Sequence, residues 1–227
     1  MRKLNAPGDS VQDVFSTCIE SYRDAALKNR LRSIVPVLSD EASRFEDCVL
    51  TSKTHTIPTA DNVGGVVSKA EMLDIYESKF VKGTGRPYYD KYMSLPTNGK
   101  CPFCGIGTVS TLDHYLPKSK YPALAITPKN MIPACRDCNL GKKRTFSPQN
   151  SEEEPLHPYF DDVEQDIWLS VRFEVAGKEL VPTYFVRKPV AWNDLLFRRV
   201  ENHMVLYNLY TSYAVHAAEE ITGRSGI

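Results

Sequence analysis

The chain has 227 residues, 42% of them hydrophobic, and equal numbers of acidic and basic side chains. That length supports one sizeable domain or two small ones, and a formal net charge of zero argues against a general nucleic-acid coat protein. No uncharged apolar run reaches the length of a membrane helix, and the opening Met1-Arg2-Lys3 meets charge and proline before any apolar core, so the expectation is a soluble, cytoplasmic protein without a signal peptide.

In chain order, residues 9 to about 31 read as one amphipathic helix, with Val11, Val14, Phe15, Cys18, Ile19, Tyr22 and Ala25 on one face. A second helix is expected over Asp40 to Leu50, carrying Ala42, Phe45 and Val49 inward. Residues 51–67 are rich in Thr, Ser, Gly and Pro and read as loop. Ser68-Lys-Ala-Glu71 is a capping-box pattern that opens a third helix, stopping before Gly83 and Gly85. A short aromatic segment, Tyr88 to Met93, leads to the first of two cysteine pairs. Beyond those pairs, Ile167, Leu169, Val171, Phe173 and Val175 alternate as in a strand with one buried face. Gly177 marks a turn, and Leu180 to Val186 is the expected hairpin partner. Helical pattern returns from Trp192 to Thr222, and Gly223 to Ile227 read as a frayed tail.

Six cysteines in a chain of this class do not suggest a disulfide scaffold. Cys18 and Cys48 sit in helical apolar patterns and read as buried thiols. Cys101-Pro-Phe-Cys104 and Cys135-Arg-Asp-Cys138 are different: two C-x2-C turns with 30 residues between them. Two thiolates of one tight turn reach a single ion at about 2.3 Å, and a second turn completes a tetrahedron, for which Zn²⁺ is the expected ion. Such a site is closed, so this zinc is structural, substituting for a core that a short segment cannot build. A redox pair or four unrelated core cysteines explain the doubled spacing less well.

The segment between the pairs carries the chemistry. Val109 to His114 reads as a strand ending in an acid and an imidazole, Asn130 to Ala134 as a return strand, and the residues after Cys138 as the start of a helix. That arrangement brings Asp113, His114 and Asn139 together. Neighbours in a strand face opposite sides, so Asp113 and His114 are expected to point apart. The local charge is basic: Lys118, Lys120, Lys129, Arg136, Lys142, Lys143 and Arg144 against Asp113 and Asp137 between residues 101 and 144.

Asp113-His114-Tyr-Leu-Pro-Lys118, followed by Asn130-Met-Ile-Pro-Ala-Cys135-x2-Cys138-Asn139-x2-Lys142, resembles the HNH endonucleases of the ββα-metal fold. The resemblance covers about 45 of the 227 residues, with an Asn at position 139 where a His often stands. It implies an α+β chain: mostly helical, around a zinc-stapled ββα-metal module, with a β-hairpin and helices C-terminal to it. The expected division is a helical region over 1–97, the nuclease module over 98–146, and hairpin plus helices over 147–227. It further implies phosphodiester hydrolysis in nucleic acid, DNA before RNA. On this resemblance Asp113 and Asn139 are expected to hold one Mg²⁺ or Mn²⁺, His114 to be the general base, and Asn130 to fix the loop that carries His114. Lys118, Lys142 and Lys143 hold flanking phosphates. More weakly, the flanking helices and hairpin resemble the HNH effectors of bacterial anti-phage systems, Septu-type and some retron-associated, which implies a protein partner such as an ABC/SMC-type ATPase. The competing reading is a non-catalytic zinc module that binds nucleic acid or a protein. The carboxylate of Asp113 speaks against it, because without a metal it would repel phosphate. His55, His157, His203 and His216 lack such neighbours in sequence and read as core or surface residues.

Overall fold

The structure is a computed structural model that describes residues 1–140, 146–177 and 179–224. It is an α+β chain of eight α-helices and three two-stranded antiparallel ladders among those residues.

Helix α1 spans Val11–Ile19 and buries Val11, Val14, Phe15, Cys18 and Ile19. Ser10 caps it by accepting the Asp13 amide at 3.1 Å. The single helix expected to residue 31 is two: α2 spans Ala25–Arg32 and has its own cap. Asp24 Oδ1 accepts the Ala26 and Leu27 amides at 2.8 and 3.2 Å. A short acid that satisfies two backbone amides competes with helix continuation, and here the cap wins. Helix α3, Val35–Leu50, starts five residues before the expected Asp40, because Pro36 lies in the first turn, where its missing N–H has no helical partner to lose.

Within the expected loop, Asn62–Val63 (β1) and Val67–Ser68 (β2) form a minimal ladder that buries Val63 and Val67. The Ser68–Glu71 capping box is present and starts α4, Lys69–Asp74, which continues as a π-helical stretch over Ile75–Val81. Gly85 then lies against α1: a Cβ there would sit 2.7 Å from Cys18 Sγ and 2.8 Å from Phe80 Cα. The aromatic segment is helical, α5, Arg86–Met93.

Strands β3, Thr111–His114, and β4, Met131–Ala134, pair antiparallel with Asp113 opposite Ile132 and His114 opposite Met131. Helix α6, Arg136–Leu140, begins inside the second cysteine turn, not after Cys138 as expected. The C-terminal hairpin has the expected strands, β5 Leu169–Ala176 and β6 Glu179–Val186, with Gly177 at φ +66 in the turn. Its expected buried face is covered on the β6 side alone: Pro182, opposite Phe173, is buried where α8 packs on β6, whereas Phe173 is 51% and Val175 75% exposed. The last helical segment is also two helices, α7 (Asp194–Leu206) and α8 (Leu209–Arg224), parted at Asn208, whose φ of 52 leaves the right-handed helical region. Gly223 is helical; residues 225–227 of the expected tail lie outside the described residues.

Two apolar clusters hold these parts. One combines Val14, Phe15, Leu38, Met72, Phe80 and Tyr92 with Leu112 and Met131. The other joins Met1, Phe45, Trp168, Trp192, Val200 and Met204 to the four paired cysteines and to Ile132 and Ala134. The β3–β4 ladder therefore contributes to both clusters. Each large side chain removed from water contributes about 1.5–3 kcal/mol, so the ladder is anchored on two sides. Arg199, 5% exposed, ties α7 to the connection before it through a two-pronged pair with Asp161 at 2.9 and 2.7 Å. No helix among the described residues is long and apolar enough to cross a membrane.

Candidate metal centre and active-site cleft

The ligand atoms of Cys101, Cys104, Cys135 and Cys138 all lie within 4.8 Å of one another, and all four residues are buried. No pair is a disulfide; Cys104 and Cys135 Sγ are 3.8 Å apart. A tetrahedron with Zn–S bonds of about 2.3 Å has edges of about 3.8 Å, so the cluster fits zinc. The first turn is shaped by short-range bonds: Gly105 N–H to the Cys101 carbonyl at 2.7 Å, and Gly107 N–H to Cys104 Sγ at 3.3 Å. Gly107 is a close approach. A Cβ there would stand 2.8 Å from both Cβ and Sγ of Cys135. Of the other two cysteines, Cys18 is buried as expected, whereas Cys48 is half-buried.

Three distant parts of the chain hold the carbonyls of this turn. Arg2 N–H donates to Pro102 at 2.7 Å, His203 Nε2 to Phe103 at 2.9 Å, and Tyr213 Oη to Cys104 at 2.7 Å. His203 is thus a core residue, as is His157, whose ring lies tilted against Tyr115 at a centroid distance of 4.4 Å. His55 pairs with the buried Glu154 at 2.9 Å, and His216 is exposed.

Beside the cluster, β3 and α6 form one wall of a cleft of about 550 Å³. Asp113, His114, Lys118 and Asn139 all line it. The register sets Asp113 opposite Ile132 and His114 opposite Met131, and all four residues of β3 contribute to the lining. Asp113 Oδ1 accepts the His114 backbone amide at 2.7 Å, which holds the carboxylate close to the strand.

His114 is buried at its ring. Nε2 lies 2.7 Å from the Ala125 carbonyl oxygen, and the ring meets Tyr76 edge-on at 4.7 Å. A carbonyl oxygen only accepts, so Nε2 carries the proton and Nδ1 is the basic nitrogen of the neutral ring.

Asn130 is fully buried and is not a cleft residue. Its Oδ1 accepts the Leu116 amide at 2.8 Å, and its Nδ2 donates to the carbonyls of Leu116 and Leu124 at 3.0 Å each. Its own carbonyl accepts the Tyr115 amide at 2.8 Å. One side chain therefore clamps both ends of the loop between His114 and Ala125.

Asn139 lies within α6, so it does not cap that helix. Its Nδ2 donates to Thr111 Oγ1 at 3.1 Å, which leaves Oδ1 as the amide's lone-pair atom for a hard cation. Lys118 Nζ sits 2.6 Å from Glu77 and 3.8 Å above the Tyr76 ring. Lys142 and Lys143 lie outside the described residues.

Sequence reasoning missed the opposite wall. Tyr76, Glu77 and Tyr89 line the cleft from the π-helical stretch and α5. Nothing in local spacing connects them to a strand that starts at Thr111. Burial pushes the Tyr76 phenol well up, reinforced by Tyr89, Glu77 and Asp113, so it stays a neutral donor, 3.4 Å from the Leu112 carbonyl. A second cavity, about 590 Å³, lies at Met1, Trp168 and Tyr213. Its lining carries the acids Glu164, Asp166 and Glu220 and the imidazole of His216; Asp166 is engaged by Trp192 Nε1 at 2.8 Å, and no asparagine or glutamine lines it.

The chain is similar along 99% of its length to protein ea31 of Escherichia phage lambda, with 28% identity over 243 aligned residues covering 80% of that protein. Over 42% of its length it is 31% identical to the Septu protein PtuB of Bacillus thuringiensis, across 102 residues that span 38% of PtuB. No family model matches the chain, and no solved structure matches it.

Proposed function

We propose that the chain is a metal-dependent endonuclease of the HNH type, cutting nucleic acid with His114 as general base. The supporting observation is convergence: Asp113, His114 and Asn139 line one cleft, although 24 residues lie between His114 and Asn139.

Asp113 and Asn139 offer hard oxygen donors and would hold one Mg²⁺ or Mn²⁺, with waters completing its shell. That ion, when bound, supplies charge stabilisation to the scissile phosphate and the leaving oxygen. The chain's own groups do the rest. His114 Nδ1 removes a proton from water, whose oxygen attacks phosphorus as the P–O3′ bond breaks. The Ala125 carbonyl, 2.7 Å from Nε2, orients the ring and favours the positive charge it gains. Asn130 is a positioning residue that holds the loop carrying that carbonyl. Lys118 binds a flanking phosphate after exchanging its pairing with Glu77, and Lys142 and Lys143 would hold further flanking phosphates. Residues 98–146 are the nuclease unit, with 1–97 and 147–227 bracing it.

The partial likeness to a Septu protein supports a role in defence against phage, with a partner protein, an ATPase of the ABC/SMC class, recruiting or restraining the nuclease. A neutral net charge suits a nuclease brought to its substrate by another protein.

The test is incubation of the purified chain with plasmid, single-stranded DNA and tRNA, with Mg²⁺, with Mn²⁺ and with EDTA. Cleavage in the metal arms that stops with EDTA is expected, on DNA before RNA. A protein that binds these substrates and cuts none of them with either metal is a zinc-stapled binding module instead.

A further inference from the structure

We infer that the outer edge of β5 pairs with β5 of a second copy of this chain, antiparallel, about a two-fold axis at Phe173. The inference is independent of the proposed nuclease activity.

The hairpin has an open edge. Among the described residues β5 pairs with β6 alone, in register from Leu169 opposite Val186 to Ala176 opposite Glu179. Helix α8 packs on β6, where Tyr213 meets Tyr184 edge-on at 5.7 Å. Two strands by themselves are marginal in water, and an exposed edge is normally protected by lysine, proline or a bulge. β5, Leu-Ser-Val-Arg-Phe-Glu-Val-Ala, has none of these, and its two exposed charges, Arg172 and Glu174, are of opposite sign. Val171, Phe173 and Val175 share one face and are 39%, 51% and 75% exposed.

The backbone pattern selects which residues are available to a partner. The last pair of the hairpin is Ala176 opposite Glu179, the spacing of a two-residue connection. A two-residue loop closes on a hydrogen-bonded pair, so the alternation turns the N–H and C=O groups of Val171, Phe173 and Val175 outward.

The side chains then select the partner. Arg172 and Glu174 flank Phe173, are both about two-thirds exposed, and lie 3.5 Å apart on the same strand. In an antiparallel pairing of two identical strands centred on Phe173, Arg172 of each copy faces Glu174 of the other, twice by symmetry. Val171 faces Val175, and Phe173 faces its own copy. A register shifted either way no longer sets Arg172 against Glu174, and a parallel pairing in register sets like charge against like. The charge order is thus self-complementary, as a two-fold interface requires. Pairing about an axis normal to the sheet keeps the apolar face continuous: Val171, Phe173 and Val175 of both copies form one cluster.

The experiment is sedimentation equilibrium of the full chain over a concentration series, with three variants. Wild type is expected to dimerise. Arg172→Glu and Glu174→Arg each set two like-charge pairs across the axis and should weaken the dimer at least about tenfold. The double swap Arg172→Glu/Glu174→Arg restores complementarity and should return the dimer to wild-type strength. Mixing the two single variants should produce a heterodimer, since each then faces its opposite. Far-UV circular dichroism of the variants separates loss of pairing from loss of fold, and a variant that misfolds is replaced by Phe173→Thr, which keeps strand propensity and removes the central contact. A chain that stays monomeric at every concentration overturns the inference. So does a dimer indifferent to both single reversals, or a monomer whose hairpin variants lose a different co-purifying protein.

Discussion

His114 Nε2 lies 2.7 Å from the carbonyl oxygen of Ala125, and this bond determines which nitrogen of the ring can act as a base. It also gives the ring a structural role, since His114 is only 8% exposed and packs against Tyr76.

His114→Ala is therefore expected to have two effects. Cleavage should fall about 10²–10⁴-fold, the usual contribution of a general base. The fold should lose about 1–3 kcal/mol, because a buried ring and its carbonyl bond go together. His114→Gln, which can keep a donor near Ala125, should recover part of the stability and none of the rate. Urea unfolding and single-turnover cleavage separate the two, and a His114→Gln variant as active as wild type removes His114 from the role of base.

Asp113→Ala and Asn139→Ala should both lose Mg²⁺-supported cleavage while retaining zinc. Asp113 should matter more, because it supplies charge as well as an oxygen. Asn139→Asp keeps an oxygen donor and should retain measurable activity at raised Mg²⁺. Full activity of Asn139→Ala across a Mg²⁺ titration would reduce Asn139 to its bond with Thr111, 3.1 Å away.

The metal centre gives a prediction that needs no assay of activity. The folded, reduced chain should contain about one Zn²⁺, and Cys101→Ser or Cys135→Ser should unfold the region around it, since binding energy there is folding energy. Gly107→Ala should do the same by contact alone, because its Cβ would sit 2.8 Å from Cys135 Cβ and Sγ. Elemental analysis with thermal melts reads both; a Gly107→Ala chain with wild-type zinc and melting temperature contradicts the packing described.

Asn130→Ala should cost about 2–4 kcal/mol, since it strands the Leu116 amide and two carbonyls in a buried setting. A purely structural residue would lower stability alone. As a positioning residue it should also lower kcat with KM little changed, in the fraction of chains that remain folded, and shift the pH profile that reports the His114 ring. An unchanged pH profile with unchanged kcat per folded chain leaves Asn130 a core residue only.

A pH dependence follows at the capping box. Glu71 is held down to about 2 by the Arg30 guanidinium first and the Ser68 amide and hydroxyl next. A carboxylate depressed in the fold contributes stability above its unfolded value, near 4.5, and loses it as pH falls toward 2. With Arg30 and Glu71 about 40% exposed, solvent screening reduces this to about 1 kcal/mol. Glu71→Gln should flatten the stability curve over that acid window and change it little at neutral pH beyond a constant offset, as urea unfolding from pH 5 to 2.5 would measure.

The C-x2-C turns, the capping box and the individual strands were legible in the sequence, because each is set by residues within a few positions of one another. Two C-x2-C turns need only their own spacing to offer four thiolates, and Ser68 needs only Glu71. Helix interruptions were harder to see. Asp24 and Asn208 break apolar patterns that continue across them, and the outcome rests on a cap at one and a left-handed backbone at the other. Tertiary structure alone decided the rest. It brought Tyr76 and Glu77 across from Asp113 and His114, committed His114 Nε2 to Ala125, and left the apolar face of β5 uncovered, since alternation specifies which side chains share a face and only packing specifies what meets it.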